Sequence, residues 1–320
     1  MKKAALITGG AGFIGSNLIK VLTNRFDKLI CIDNLSRGKK EYLKEVKNLH
    51  FIQEDLTNYN KIKKHIDQLH NQFEINEVWH LVANSDIPSG VADAEIDLKD
   101  TFLCTHTLCK CLEKFPPKKF IFASSSAVYG DMGDKLINEQ SAPLYPISNY
   151  GAMKLASEAY LSAWIEKTKS ELIIFRFPNV VGTPATHGVI YDFLKRLIKD
   201  KTSLQVLGNG FQMKPYLLCD DLIEIMIFLK NNIKNKREIF NIGPSDTGVF
   251  VKDIAKTVCE IAGNSETTIN YEDNDRGWIG DVPKFKYDIR KIQQAGWSKE
   301  LSSIKAIKIA TKQIFNQLKN

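Results

Sequence analysis

The sequence predicts an α/β protein, a doubly wound parallel sheet followed by a smaller α/β lobe. Three observations carry that prediction. Short apolar runs without polar alternation recur through the first half, helical segments lie between most of them, and the pattern changes after Phe177. Strands that are apolar on both faces and joined by helices belong to a parallel sheet covered on both sides. The runs fall at 4–8, 29–33, 50–53, 77–82, 119–124 and 172–177, and the helical segments include 13–24, 91–115 and 148–169. In the first helix Ile14, Leu18, Val21 and Leu22 share one side, the spacing of a face turned to a core. Beyond Phe177, the residues Pro178, Gly182, Pro184 and Gly188 mark loops instead of another strand–helix unit. A helix at 189–199, loops near Gly208 and Gly210, a helix at 220–229 and a short strand over 240–243 make the second lobe. A first domain over 1–177 and a second over 178–320, interleaved with it, are expected. No repeat, low-complexity stretch or long linker interrupts the chain.

Composition narrows the function classes. With 320 residues, 43% apolar and 25% charged, the chain can bury a core that needs no disulfide staples. Its net charge of +7 comes from 44 Lys and Arg against 37 Asp and Glu. The excess is scattered lysine, such as Lys44, Lys47, Lys61, Lys63 and Lys64, which reads as a solvated surface. No basic stripe interleaved with aromatics points to nucleic acid. The cysteines Cys31, Cys104, Cys109, Cys111, Cys219 and Cys259 form no paired C-x-x-C spacing. No metal site is therefore expected, and nothing indicates an oxidising compartment. The apolar stretch after Met1-Lys2-Lys3 ends at Gly9, too short for a signal peptide. The apolar run over 223–229 is too short to span a bilayer. A cytoplasmic protein without membrane or nucleic-acid partners is expected.

The first chemical signal lies between the first strand and the first helix. Gly10-Ala11-Gly12-Phe13-Ile14-Gly15 fits G-x-G-x-x-G, with Gly9 before it. Such glycines permit a tight turn, close approach of backbone to a pyrophosphate, and close helix–strand packing. The helix N-terminus then offers unpaired N–H groups and a partial positive charge to phosphates. An acidic residue is expected about 20 residues further on, and Asp33 ends the second strand. Its carboxylate accepts from ribose hydroxyls and repels a 2′-phosphate, so the cofactor is expected to be NAD and not NADP. Arg37 nearby reads as a solvent-exposed arginine. Asp55-Leu56 follows the third run, where it can meet the adenine ring or cap a helix.

Tyr150 and Lys154 are four residues apart on a helical segment, so both side chains share one face. An ammonium beside a phenol favours the phenolate and is expected to lower the Tyr150 pKa. A tyrosine so poised can remove a hydroxyl proton. Ser124, Ser125 and Ser126 stand just past the fifth run, and ligands in such sheets bind outside the carboxyl ends of the strands.

Together these residues resemble the extended short-chain dehydrogenase/reductases, and among them the nucleotide-sugar epimerases and dehydratases. The markers are the glycine turn, Asp33-Asn34-Leu35, Asp55-Leu56, His80-Leu81-Val82-Ala83 and Ser124-Ser125-Ser126-Ala127-Val128-Tyr129-Gly130. Tyr150-Gly151-Ala152-Met153-Lys154, Arg176-Phe177-Pro178-Asn179 and Gly280-Asp281-Val282-Pro283 complete them. The pattern is most similar to UDP-galactose (UDP-glucose) 4-epimerases. The resemblance implies a nucleotide-sugar substrate, a homodimer joined through the 91–115 and 148–169 helices, and a catalytic set of Ser125, Tyr150 and Lys154. It places Gly9, Gly12, Phe13, Ile14, Gly15, Asp33, Asn34, Asp55, Leu56, Tyr150, Lys154 and Phe177 at the cofactor. It places Ser125, Ser126, Asn179, Lys214, Arg276 and Phe285 at the substrate.

By the same resemblance, the 4,6-dehydratases carry Asp-Glu after the active-site Ser/Thr. Here Ser126 and Ala127 stand there, which argues against loss of water. The implied reaction is inversion at C4 through a transient 4-ketosugar, with the hydride passed to NAD and returned. Several positions depart from the pattern. Lys214-Pro215 replaces an Arg-Asp, Arg276 lies two residues before the usual arginine position, which holds Trp278, and Asp97 stands where asparagine is common. Phe285 matches a bulky position that restricts the sugar pocket. His80 reads as a structural histidine and His187 as a solvated loop residue. A nucleotide-sugar reductase or dehydrogenase, another nucleotide-sugar epimerase, and a non-catalytic NAD-binding regulator remain as alternatives.

Overall fold

Seven apolar runs pair into one sheet: β1 (Lys2–Thr8), β2 (Lys28–Asp33), β3 (Leu49–Gln53), β4 (Phe73–His80), β5 (Lys119–Ser125), β6 (Glu171–Phe177) and β7 (Arg237–Asn241). Their spatial order is β7-β6-β5-β4-β1-β2-β3, and the sheet is parallel. The order turns back at β1, which has β2 on one side and β4 on the other. Such a switch point opens a crevice beyond the carboxyl ends of the strands. The computed structural model describes residues 1–273, 282 and 284–319. The chain forms two units. The first comprises Met1–Val128, Ser148–Arg176 and Leu229–Phe240, the second Tyr129–Ile147, Phe177–Phe228 and Asn241–Asn320.

In the first unit the helices α1 (Phe13–Leu22), α2 (Tyr59–His70), α3 (Cys104–Leu112) and α4 (Asn149–Glu166) flank the sheet. On one face Leu6, Ile30 and Ile52 of the strands pack with Ile62 and Ile66 of α2, Leu108 of α3 and Leu161 of α4, all buried. Each such side chain contributes roughly 1.5–3 kcal/mol by leaving water. In the second unit the helices α5 (Val189–Lys199), α6 (Val251–Ile261) and α7 (Ser303–Lys319) share a core built on Phe193, Leu197, Ile254, Val258 and Ile307. The helix expected at 220–229 spans Cys219–Asn231. No helix of the described residues is long and apolar enough to cross a membrane.

Three expected elements differ, each for a polar reason. The fourth strand begins at Phe73, not at 77, because Glu74, Asn76 and Glu77 mask its start. Glu77 is nonetheless buried, its carboxylate accepting from Trp79 Nε1 (3.0 Å) and from Lys230. The strand expected at 240–243 in the second lobe is β7, an edge strand of the central sheet. Its Phe240 lies 6.2 Å from the Phe175 ring of β6, while polar Arg237 and Glu238 hid its beginning. The helix expected over 91–115 is broken into Ile87–Ala92, Ala94–Asp97, a π turn at Leu98–Leu103, and α3. Asp93 makes the first break: its backbone is extended and its side chain accepts from Glu95 N (3.0 Å).

A buried ion pair ties the sheet to α4. Arg176 of β6 donates to Glu158 of α4 through Nε (2.9 Å) and Nη2 (2.5 Å), and Ser124 of β5 donates its hydroxyl to the same carboxylate. The two charged side chains are only 4% and 5% exposed, so removing one leaves the other charged in a dry site. Glu158→Ala should lower stability by roughly 3–5 kcal/mol, read as a lower denaturant midpoint at unchanged slope.

Candidate active site

The glycine turn follows β1 and leads into α1. Gly9 has φ +71°, a left-handed conformation that suits glycine, and a Cβ there would lie 2.9 Å from Val82 N. A Cβ on Gly15 would lie 2.3 Å from Gly9 O and 2.6 Å from Gly10 Cα. The turn therefore has no room for side chains at either place. Helix α1 starts after Gly12, and no side chain caps it. Its first N–H groups thus face the turn without a competing side-chain acceptor, the condition for binding an anion.

Asp33 closes the other side. Its Oδ2 accepts from Ala11 N (2.9 Å) and its Oδ1 from Leu35 N (2.8 Å). Each oxygen keeps a further lone pair. Burial pushes this carboxyl above the usual range, and the N–H groups of Leu35 and Ala11 oppose the push. Leu35 itself has φ +60°, an uncommon conformation outside glycine. Asn34, Arg37, Asp55, Leu56 and Ala83 line a cleft with Asp33. Asp55 Oδ1 accepts from both Thr57 N (2.9 Å) and Thr57 Oγ1 (2.6 Å), so it organises the turn into α2 as well as lining the cleft. Arg37 is exposed, as expected, and donates to Asp86 (2.9 Å). The side-chain-free turn, the open helix start and a carboxylate with spare lone pairs fit a dinucleotide, its pyrophosphate at α1 and a ribose at Asp33.

The second cluster stands at the carboxyl end of β5. Ser148 caps α4 by accepting from Gly151 N (3.1 Å), and this places Tyr150 and Lys154 on the first turns. Ser125 neighbours Tyr150, a contact that favours the phenolate. Lys154 is buried, donates to Ala123 O (2.6 Å), and holds its Nζ 5.8 Å from the centre of the Tyr150 ring. The expected lowering of the Tyr150 pKa is overturned. Burial pushes the phenol up to about 12, against the Ser125 contact, and Asp97 adds to the rise. Burial likewise draws the Lys154 ammonium down to about 7, while Glu158 and Asp97 pull it back up. The reason is physical: a phenolate or an ammonium in a dry site costs more than one weakly coupled neighbour returns.

His80, at the end of β4, is fully buried between Thr8 Oγ1 (2.7 Å) and Thr105 Oγ1 (2.9 Å). Burial and the nearby Lys154 lower its pKa to about 3. It is a neutral structural residue. Ser126 opens a single tight turn at Ser126–Tyr129, and the Ala127 N–H donates to Ser125 Oγ (3.2 Å).

The remaining expected residues lie in the second unit. Phe177 ends β6 and is buried. Asn179 is exposed and starts a short strand paired in parallel with Tyr216–Leu218. Lys214 is half-buried and pairs with Val249 across an antiparallel bridge. Phe285 is buried, 5.4 Å from the Tyr287 ring. Arg276 and Trp278 lie outside the described residues. His187 is exposed, beside Thr186 Oγ1 (3.0 Å). No group of three or more metal-binding side chains occurs among the described residues.

Sequence reasoning passed over Glu158, Asn84 and Thr105. Glu158 had a signal, since it continues the four-residue spacing of Tyr150 and Lys154. Asn84 had none, because its role depends on contacts with Asp86 and Asp97, which only folding brings together.

The comparisons agree with this geometry. A 323-residue match to a Methanocaldococcus jannaschii chain that carries the provisional name UDP-glucose 4-epimerase has 29% identity and covers 98% of both chains. The dTDP-D-glucose 4,6-dehydratase of Dictyostelium discoideum is 31% identical over 80% of this chain and 62% of its own. Among solved structures, the UDP-glucose 4-epimerase of Thermotoga maritima with UDP-glucose superposes with a TM-score of 0.86, at 27% identity over 98% of this chain and 99% of that one. Residues 5–243 match the profile of the NAD dependent epimerase/dehydratase family. The protein is therefore a member of the NAD-dependent epimerase/dehydratase family of nucleotide-sugar enzymes, with NAD as its cofactor.

Proposed function

We propose that the protein inverts C4 of a nucleotide-activated hexose of the UDP-glucose or UDP-galactose type, through a transient 4-ketosugar. The observation that carries this reading is the buried Lys154, which bonds the Ala123 carbonyl at the end of β5 and holds its Nζ 5.8 Å from the centre of the Tyr150 ring, with Ser125 beside that phenol. In this reading Tyr150 takes the proton of the sugar 4-hydroxyl and returns one afterwards. Ser125 bonds the reacting oxygen, and Lys154 holds positive charge beside the phenolate. Bound there, NAD would supply a reversible hydride acceptor, and its oxidised ring a positive charge that would offset the burial cost of the phenolate. Ser126 and Ala127 have no carboxyl group to move protons during loss of water, which favours epimerisation although dehydratases are among the relatives.

The remaining assignments belong to the same reading. Gly9, Gly12, Phe13, Ile14 and Gly15 hold the pyrophosphate, Asp33 and Asn34 the adenosine ribose, Asp55 and Leu56 the adenine, and Phe177 the nicotinamide. Asn179 and Lys214 bind the nucleotide-sugar diphosphate, together with Arg276, and Phe285 limits the sugar pocket. A cytoplasmic homodimer is part of the proposal. Its support is six buried cysteines that form no disulfide, as expected in a reducing compartment, and exposed Leu98 and Leu103 on the turn leading into α3.

Three outcomes are expected. The purified protein interconverts UDP-glucose and UDP-galactose with no added cofactor, followed by chromatography of the sugars; turnover only with stoichiometric reduced cofactor would instead identify a reductase. Tyr150→Phe lowers kcat by at least about 100-fold while NAD stays bound, as measured by cofactor released on denaturation; lost NAD would refute the role given to Tyr150. Gly15→Val, which forces a side chain against Gly9 O, weakens NAD binding at least about tenfold by calorimetry, because the turn must open by more than an ångström to accept it.

A further inference from the structure

A second buried carboxyl lies beside the Tyr150–Lys154 pair. Asp97 ends the helical turn Ala94–Asp97 and is fully buried. Its Oδ1 accepts from Asn84 Nδ2 (2.9 Å), whereas its Oδ2 is buried without a hydrogen-bond partner. A Cβ on Gly90 would fall 1.8 Å from that Oδ2, so the oxygen rests on bare glycine backbone. The carbonyl of the same Gly90 accepts from Asn149 Nδ2 (2.8 Å). Asn149 immediately precedes Tyr150 on α4. One glycine thus holds the carboxyl on its Cα side and the start of the catalytic helix on its carbonyl.

A buried carboxyl with one orphaned oxygen is costly. An asparagine of the same shape would satisfy Asn84 equally and bring no charge. The groups facing Asp97 are Asp86 on the preceding loop, Asp100 one turn further on, and Lys154 and Tyr150 on α4. Around the pair itself stand Ser125, Glu158, Cys104 and His80. Of the nearby acids, Glu158 is already matched by Arg176 and Ser124. Asp97 is fully buried with its Oδ2 unpartnered, and burial pushes its carboxyl above the ordinary range while Asn84 and Lys154 oppose the push.

We infer that Asp97 is a positioning residue that holds negative charge against the Tyr150–Lys154 pair and so keeps the proton on it. The inference rests on the reading of that pair as the proton-transfer machinery. The carboxylate repels a phenolate at Tyr150 and attracts an ammonium at Lys154. Tyr150 then stays a phenol, and Lys154 an ammonium, until another positive charge enters the site. Removing the Asp97 charge lifts the repulsion, so Tyr150 must lose its proton at lower pH.

The test is an ultraviolet titration of tyrosinate in the NAD-bound protein, each variant measured against its own Tyr150→Phe counterpart so that only the Tyr150 signal remains. Asp97→Asn should move the Tyr150 midpoint to lower pH by roughly half a unit or more, and the rising limb of the pH–rate profile should move with it. Asp97→Ser removes the same charge from a smaller side chain and should move the midpoint the same way, should the asparagine variant fail to fold. An unmoved midpoint in a folded variant, or a move to higher pH, overturns the inference; a merely structural Asp97 would change stability and leave the midpoint in place. The titration needs no substrate. A chain inactive on every nucleotide-sugar would defeat the proposed function, and the midpoint alone would still decide the role of Asp97.

Discussion

One stripe of one helix against the end of one strand governs the candidate site. Tyr150, Lys154 and Glu158 follow each other at four-residue spacing on α4, and they meet three consecutive residues of β5. Lys154 donates to the Ala123 carbonyl, Glu158 accepts from the Ser124 hydroxyl, and Tyr150 stands beside the Ser125 side chain. A helix advances about 6 Å in four residues, so a single stripe can reach both the reacting end of the strand and the layer beneath it. Arg176 of β6 joins the lower contact. The helix cannot slide without breaking all of these bonds, and the spacing between phenol and serine is thereby set by buried polar contacts well away from solvent.

The glycine turn is the counterpart at the switch point of the sheet. Gly9 packs under Val82 at the end of the β4 run, and His80, two residues earlier, bonds Thr8 of β1 and Thr105 of α3. The two central strands are tied at their carboxyl ends by a histidine that stays uncharged. A charged imidazole there would stand close to Lys154 in a dry site, and the same burial that neutralises His80 removes that conflict. The cofactor turn and the Tyr150–Lys154 cluster are thus joined through a neutral core residue instead of a chain of charges.

Local pattern made most of this legible, and long-range polar pairing made the rest illegible. The turn, Asp33 and the Tyr150/Lys154 spacing could be read because each depends on residues close in sequence. The strand starts at Phe73 and Arg237 could not, because Glu77 and Glu238 look like solvated charges until a partner such as Lys230 is brought to Glu77 across the fold. The break at Asp93 depends on a single capping aspartate inside a run whose helical spacing is otherwise unbroken. The direction of the Tyr150 shift was misread for a further reason. Spacing on a helix tells which groups share a face, not how dry that face is, and burial is the largest influence on Tyr150.

That misreading bears on how the pair can work. A phenol held near 12 and a lysine drawn to about 7 describe a buried pair in which burial opposes charge on both members. Such a site is a poor base by itself. Any positive charge placed beside it favours the phenolate, and in a dry environment that charge acts with little screening. Basicity then becomes a property of the assembled complex and not of the tyrosine alone. For an enzyme whose proposed cycle removes a proton and returns it, this coupling would have a use: the tyrosine would accept a proton readily beside a positive charge and donate one without it. The burial that opposes ionisation of Tyr150 would then let one residue serve in both directions.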